Sequence, residues 1–165
     1  MDKHLVPAFL TKIAKRAPTF VDLAELAFSD IRTLNGKAEM VCGPITTGGF
    51  NDVAVNTLVF NHAIDTLQDA GRPMFSQMPY EATLADLEHE WMLKNVSAAY
   101  CHPILDEFYG PIFNSGLVHR CWFLPGWEKS TGAAWEHERC KKLGIDVRYL
   151  DQNWMSRLNL PDDLD

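Results

Sequence analysis

The chain has 165 residues, nearly half of them apolar, and a formal net charge of −7, enough for one hydrophobic core and short for two. Its 15 lysines and arginines are scattered among 22 aspartates and glutamates, so no basic stripe serves a nucleic-acid polymer and a small-molecule partner fits better. The four cysteines form no CxxC pair and read as reduced; with no signal pattern and no apolar run near the ~20 residues of a membrane span, the expectation is a cytoplasmic chain without a membrane partner.

In chain order, residues 5–15 and 20–33 read as two helices, with Leu5, Phe9, Leu10 and Ile13, then Val21, Leu23, Leu26, Ala27 and Ile31, at helical spacing. Asn35-Gly36 stops the second. Residues 1–36 are therefore expected to form a helical extension, acting as a cap or an oligomer contact without a catalytic role. From Lys37 short β-prone runs alternate with helical stretches, the pattern of a parallel sheet flanked by helices over 37–150. Strands are predicted near 38–43, 73–76, 118–124 and 146–150, and helices over 52–70, 83–100, a shorter 103–109, and 132–143. Pro103, Gly110 and Pro111 make Tyr100 to Gly116 a broken helical connection over the sheet. The tail, 151–165, is polar and acidic, with Trp154, Met155 and Leu158 as anchors.

Ligands of open parallel sheets bind beyond the carboxyl ends of the strands, and two loops there stand out. Gly43-Pro44-Ile45-Thr46-Thr47-Gly48-Gly49 leaves the first strand. It reads either as a plain tight connection or as a loop whose backbone and hydroxyls hold a phosphate or sugar. It is neither a P-loop nor the GxGxxG fingerprint. The second, Leu124 to Glu136, runs from a strand end into a helix. Ser130 and Thr131 are natural N-cap residues, and the free amides behind them make an anion site.

Glu136 admits two readings. Helical spacing from Gly132 sets it on one face with Cys140 and Leu143, the stripe expected to pack on the sheet, which points its carboxylate inward. Alternatively it is an exposed glutamate favoured by the helix dipole. A carboxylate held by donors in a cleft is what a nucleophile requires.

Gln77 follows the second predicted strand and reads either as a ligand contact to a base edge or sugar or as a turn amide. Met78 and Tyr80 line a pocket or fill the core, and Trp127 and Trp135 stack on a ligand or, better, pack. His89-Glu90 and His137-Glu138 lack the HExxH spacing, and no Cys/His cluster has zinc-site spacing, so neither metal nor cofactor is expected. No GxSxG elbow supports acyl transfer.

Gly43-Pro44-Ile45-Thr46 together with Gly126-Trp127-Glu128-Lys129-Ser130-Thr131-Gly132-Ala133, Glu136 and Leu143-Gly144-Ile145 resembles the nucleoside 2-deoxyribosyltransferase-like superfamily over roughly residues 38–150. The resemblance implies a Rossmann-like, flavodoxin-like parallel sheet and an N-glycosidic reaction in which Glu136 attacks the anomeric carbon. It also implies a homodimer or higher homo-oligomer. Ser130, six residues before Glu136, matches the serine that binds the 5′-phosphate in the nucleoside 5′-monophosphate N-glycosidase branch. This gives a substrate-binding set of Gly43, Ile45, Thr46, Gln77, Ser130 and Gly132. The leaving base needs a second group to protonate it; Asp106, Glu107, Asp86 and Glu81 are candidates, and the family's pattern favours Asp106. His119 departs from that pattern, standing where relatives often carry an aspartate. Base transfer between nucleosides is the alternative reaction, and a sensor that binds a nucleotide derivative without cleaving it is the alternative of another class.

Overall fold

A computed structural model of the chain describes residues 17–34, 37–46 and 48–155. The predicted helix over 5–15, Thr47 and the tail anchor Leu158 lie outside the described residues.

The predicted helix 20–33 is α1, Phe20–Arg32. Thr19 starts it with a reciprocal capping box: its hydroxyl accepts from the Asp22 N–H at 3.2 Å and its own N–H donates to the Asp22 carboxylate at 2.8 Å. Then follow β1 (Ala38–Cys42), α2 (Val53–Asp69) and a 3₁₀ turn (Met78–Tyr80) that leads into α3 (Glu81–Lys94). A π-helical turn (Ile104–Tyr109) runs without a break into α4 (Gly110–Asn114). The chain closes with β2 (Val118–Phe123), a second 3₁₀ turn (Trp127–Lys129), α5 (Thr131–Leu143), β3 (Asp146–Tyr149) and α6 (Gln152–Met155).

The fold is α/β, with a parallel sheet in the order β1-β2-β3 among the described residues. Met40 stands opposite Cys121, and Cys121 opposite Val147. The strand predicted over 73–76 contracts to one parallel bridge between Met74 and Glu39. Pro73 has no N–H to extend the ladder, so only its carbonyl and the Phe75 N–H bond to Glu39, both at 2.9 Å.

Glu39, 2 % exposed, ties this edge together. Its carboxylate accepts from Trp122 Nε1 at 2.7 Å and from Arg72 and Arg120, each at 3.3 Å. Burial of a charge is tolerated here because three donors replace its water.

Two cores flank the sheet. One face carries Met40, Cys42, Cys121 and Phe123 against α1, the π-helical turn, α4 and Cys140 of α5. The other carries Val41, with Met74, Leu124 and Leu150, against the Val55, Val59, Phe60, Ala63, Ile64 and Leu67 stripe of α2. The described part of the N-terminal segment, expected to be a cap or an oligomer contact, packs into the first core. Phe20, Leu23, Ala24, Ala27 and Ile31 of α1 are buried in the first core, because an apolar stripe this complete is stable only when covered. No helix among the described residues is long and apolar enough to cross a membrane.

Candidate functional site

The two conspicuous loops meet. Gly49 and Gly126 lie so close that a β-carbon added to Gly126 would stand 3.7 Å from the Gly49 backbone, and one added to Gly48 would stand 3.3 Å from Lys129. Gly48 and Gly49 both have positive φ, at 77° and 61°, a region open to glycine at little cost. Asn56 of α2, 3 % exposed, pins the first loop from below. Its Nδ2 donates to the Ile45 and Gly48 carbonyls at 3.0 and 3.1 Å, and its Oδ1 accepts from the Phe50 N–H at 3.0 Å. Gly43 is glycine for packing: a β-carbon there would fall 2.8 Å from Leu124.

A cleft with a cavity volume of about 70 Å³ opens beside these loops. Gly43, Ile45 and Thr46 line it from the first loop, and Ser130, Gly132, Ala133 and Glu136 from the start of α5. Gln77 lines it from the turn before α3. All six residues predicted to bind substrate thus share one cavity with Glu136. Ser130 sits at the N-cap of α5 (φ −97°, ψ 122°), where its hydroxyl accepts from the Ala133 N–H at 3.4 Å.

Glu136 is inward and 6 % exposed, one helical turn from the fully buried Cys140; Leu143, grouped with it by spacing, is 43 % exposed. Burial pushes the Glu136 carboxyl up to about 8, the Cys42 thiol that hydrogen-bonds to it opposes this, and the charge of Glu81 adds to it. Behind Cys42 the thiols continue. Cys42 is hydrogen-bonded to Cys121 and Cys121 to Cys140. All four cysteines are buried free thiols.

Glu81 is the second carboxylate of the cleft. Burial pushes it up to about 7, with the Tyr109 hydroxyl working against burial and Glu88 working with it. Tyr109 donates to Glu81 Oε1 at 3.1 Å. Glu88, raised by burial, and Tyr100 complete this end. Glu81, Leu84 and Glu88 stand at i, i+3 and i+7 on α3, on the stripe that faces the body of the protein. Carboxylates on an inward stripe are the signal by which the sequence announces this pair.

Asp106, the acid favoured by the family's pattern, does not line the cleft and is exposed. The 104–109 turn buries Ile104, Leu105, Phe108 and Tyr109 on one side, and the same apolar stripe leaves Asp106 and Glu107 on the solvent side. The short helix predicted over 103–109 is present, and its π hydrogen bonding is the part not foreseen: a β-carbon on Gly110 would lie 2.8 Å from the Leu105 carbonyl, to which the Gly110 N–H bonds.

The remaining candidates pack. Tyr80 donates to Asp30 and is buried; Met78 belongs to the second core. Trp127 stacks on His137 with ring centres 4.0 Å apart, and Trp135 meets Phe113 edge-on at 6.0 Å. His119 bonds the Ala38 carbonyl at 3.1 Å. No group of three or more metal-ligating side chains is disposed to hold a metal ion among the described residues. Comparison of the chain with protein-family models, with curated proteins and with solved structures gave no match.

Proposed function

We propose that the protein is a nucleoside 5′-monophosphate N-glycosidase with Glu136 as nucleophile and Glu81, in place of Asp106, as proton donor. One observation carries this reading: Glu136, a second protonatable carboxylate and the six predicted substrate residues, drawn from three separate stretches of the chain, line one cleft. Two carboxylates with different surroundings are the requirement for glycosidic chemistry.

In this mechanism the phosphate rests on Ser130, Gly132 and the Gly43–Thr46 loop, where helix-terminal amides favour an anion. A Glu136 oxygen attacks C1′ as the C1′–N bond breaks, and the bond pair leaves with the base, which takes the Glu81 proton. Water then attacks C1′, returning a proton to Glu81 and releasing Glu136, so that base and sugar phosphate are the products. Developing oxocarbenium charge on the sugar favours the ionised form of Glu136, offsetting its burial. The cavity, about 70 Å³, is smaller than the ~300 Å³ or more of ordinary ligand pockets, so seating a nucleotide requires the cleft to widen.

The test is incubation with ribo- and deoxyribonucleoside monophosphates beside the matching nucleosides, following free base by chromatography. Release from monophosphates, lost in Glu136→Gln, is the expected result. Exchange of added base outrunning hydrolysis would make the protein a transferase, and binding without release a sensor.

A further inference from the structure

The charged lining of the cleft is one-sided. Glu81, Glu88 and Glu136 line it, and among the described residues that do so there is no lysine, arginine or histidine. Gln77 adds an independent observation. It is 1 % exposed, and its Nε2 donates to the Val41 carbonyl at 2.8 Å. That bond fixes the amide orientation, since the flipped amide would set its oxygen against the carbonyl. Its Oε1 is left buried and without a hydrogen-bond partner. Buried acceptors are rarely left unmatched in folded proteins, and those that are call for an explanation. The Tyr109 hydroxyl already donates to Glu81 and the Tyr100 hydroxyl is one further donor, so around Gln77, Glu81 and Glu88 side-chain acceptors outnumber donors.

We propose that the pocket formed by Gln77, Glu81 and Glu88 receives an N–H-bearing heterocyclic edge, an exocyclic amine beside a basic ring nitrogen, so that the base removed is an aminopyrimidine or aminopurine. This assignment rests on the N-glycosidase reading for its term "base" and is independent of it for the amine. An exocyclic amine brings two donors to acceptors that lack them, while the ring nitrogen takes a proton from Glu81 as the base departs. An oxo base presents a carbonyl oxygen at the same place, and two acceptors facing each other without water are repulsive. The same one-sidedness disfavours the phosphate at this end and leaves it the loop and the α5 terminus.

The experiment is calorimetric binding of matched pairs to the wild-type protein and to Glu136→Gln, which holds ligands uncleaved. The pairs are cytidine and uridine 5′-monophosphate, adenosine and inosine 5′-monophosphate, with benzamidine as an amidinium probe. The amino member of each pair is expected to bind at least about tenfold tighter than its oxo partner. Benzamidine binding is expected to strengthen as pH rises through 7 to 8. Gln77→Met should shrink the preference below about threefold; should that variant not fold, Glu88→Gln provides the same reading. Equal binding, preference for the oxo member, or no binding of any probe overturns the assignment. Amino-selective binding without base release would sink the glycosidase reading alone, and base release without amino selectivity would sink this assignment alone.

Discussion

Glu136 and Glu81 reach the same cleft from two different helices, and the charge of Glu81 helps hold the proton on Glu136. Burial raises both, to about 7 for Glu81, where the Tyr109 hydroxyl opposes it, and to about 8 for Glu136. Two carboxyls so close in value share their protons, and the active form proposed above is ionised Glu136 with protonated Glu81. Substrate shifts the balance by placing a forming cation beside Glu136 and a basic base nitrogen beside Glu81.

A first prediction concerns pH. Activity needs one proton on the pair, so kcat/KM should rise through about 7, fall through about 8 and peak between them. Glu81→Gln should cut the rate by about 10²- to 10⁴-fold and abolish the alkaline fall. The single limb that remains should report Glu136 alone and lie below about 8, because a neighbouring charge that raised Glu136 is gone. Asp106→Asn, on the exposed side of the π-helical turn, should leave the profile unchanged. A profile insensitive to Glu81 but altered at Asp106 would reverse the assignment.

The thiol beneath Glu136 gives a second. Cys42 hydrogen-bonds to the carboxylate and favours its ionised form. Cys42→Ala should therefore raise the Glu136 titration, and Cys42→Ser, which keeps a donor, should not. Carbon-13 NMR of labelled glutamate reads this without any assay of activity. An unmoved titration in Cys42→Ala would show that the thiol only packs.

Stability supplies a third. The carboxyls of Glu136 and Glu81 are raised in the folded protein from an ordinary value of 4.5. The folded state therefore holds more protons than the unfolded state between 4.5 and 8. Their contribution to stability is fully present below 4.5 and is lost as pH rises through about 7 and about 8. Glu136→Gln should accordingly melt higher than wild type at pH 8, by about 2–4 °C for each kcal/mol regained. The two proteins should converge near pH 4.5. Thermal melts across pH check both statements, and a variant less stable than wild type at pH 8 would contradict the burial argument.

A fourth concerns the first loop. Asn56 makes three hydrogen bonds to the backbone of residues 45–50. Asn56→Ala should cost about 2–4 kcal/mol, from lost bonds and polar groups left unsatisfied, seen as a lower urea midpoint. Amide exchange should speed up at Phe50, whose N–H loses its acceptor. Unchanged exchange there would mean that the loop is held by other contacts.

The sequence by itself determined a good deal. The alternation of β-prone and helical runs specified a parallel α/β fold, because hydrophobic period is local information. The two glycine-bearing loops were legible as strand-end connections, and Gly132-to-Cys140 spacing set Glu136 on the inward side of α5. What tertiary structure decided were the facts that depend on which segments become neighbours. The 73–76 run keeps a single bridge because Pro73 lacks a donor and the Glu39 carboxylate, with its arginines, holds that edge. α1 joins the main core because its apolar stripe meets the π-helical turn and α4. The proposed exchange of Asp106 for Glu81 has the same origin: the apolar stripe of the 104–109 turn packs inward and leaves Asp106 in solvent, while α3 brings Glu81 to the cleft. The raised carboxyls of Glu136 and Glu81 were likewise set by burial against Cys42 and Tyr109, partners brought together from distant parts of the chain by folding.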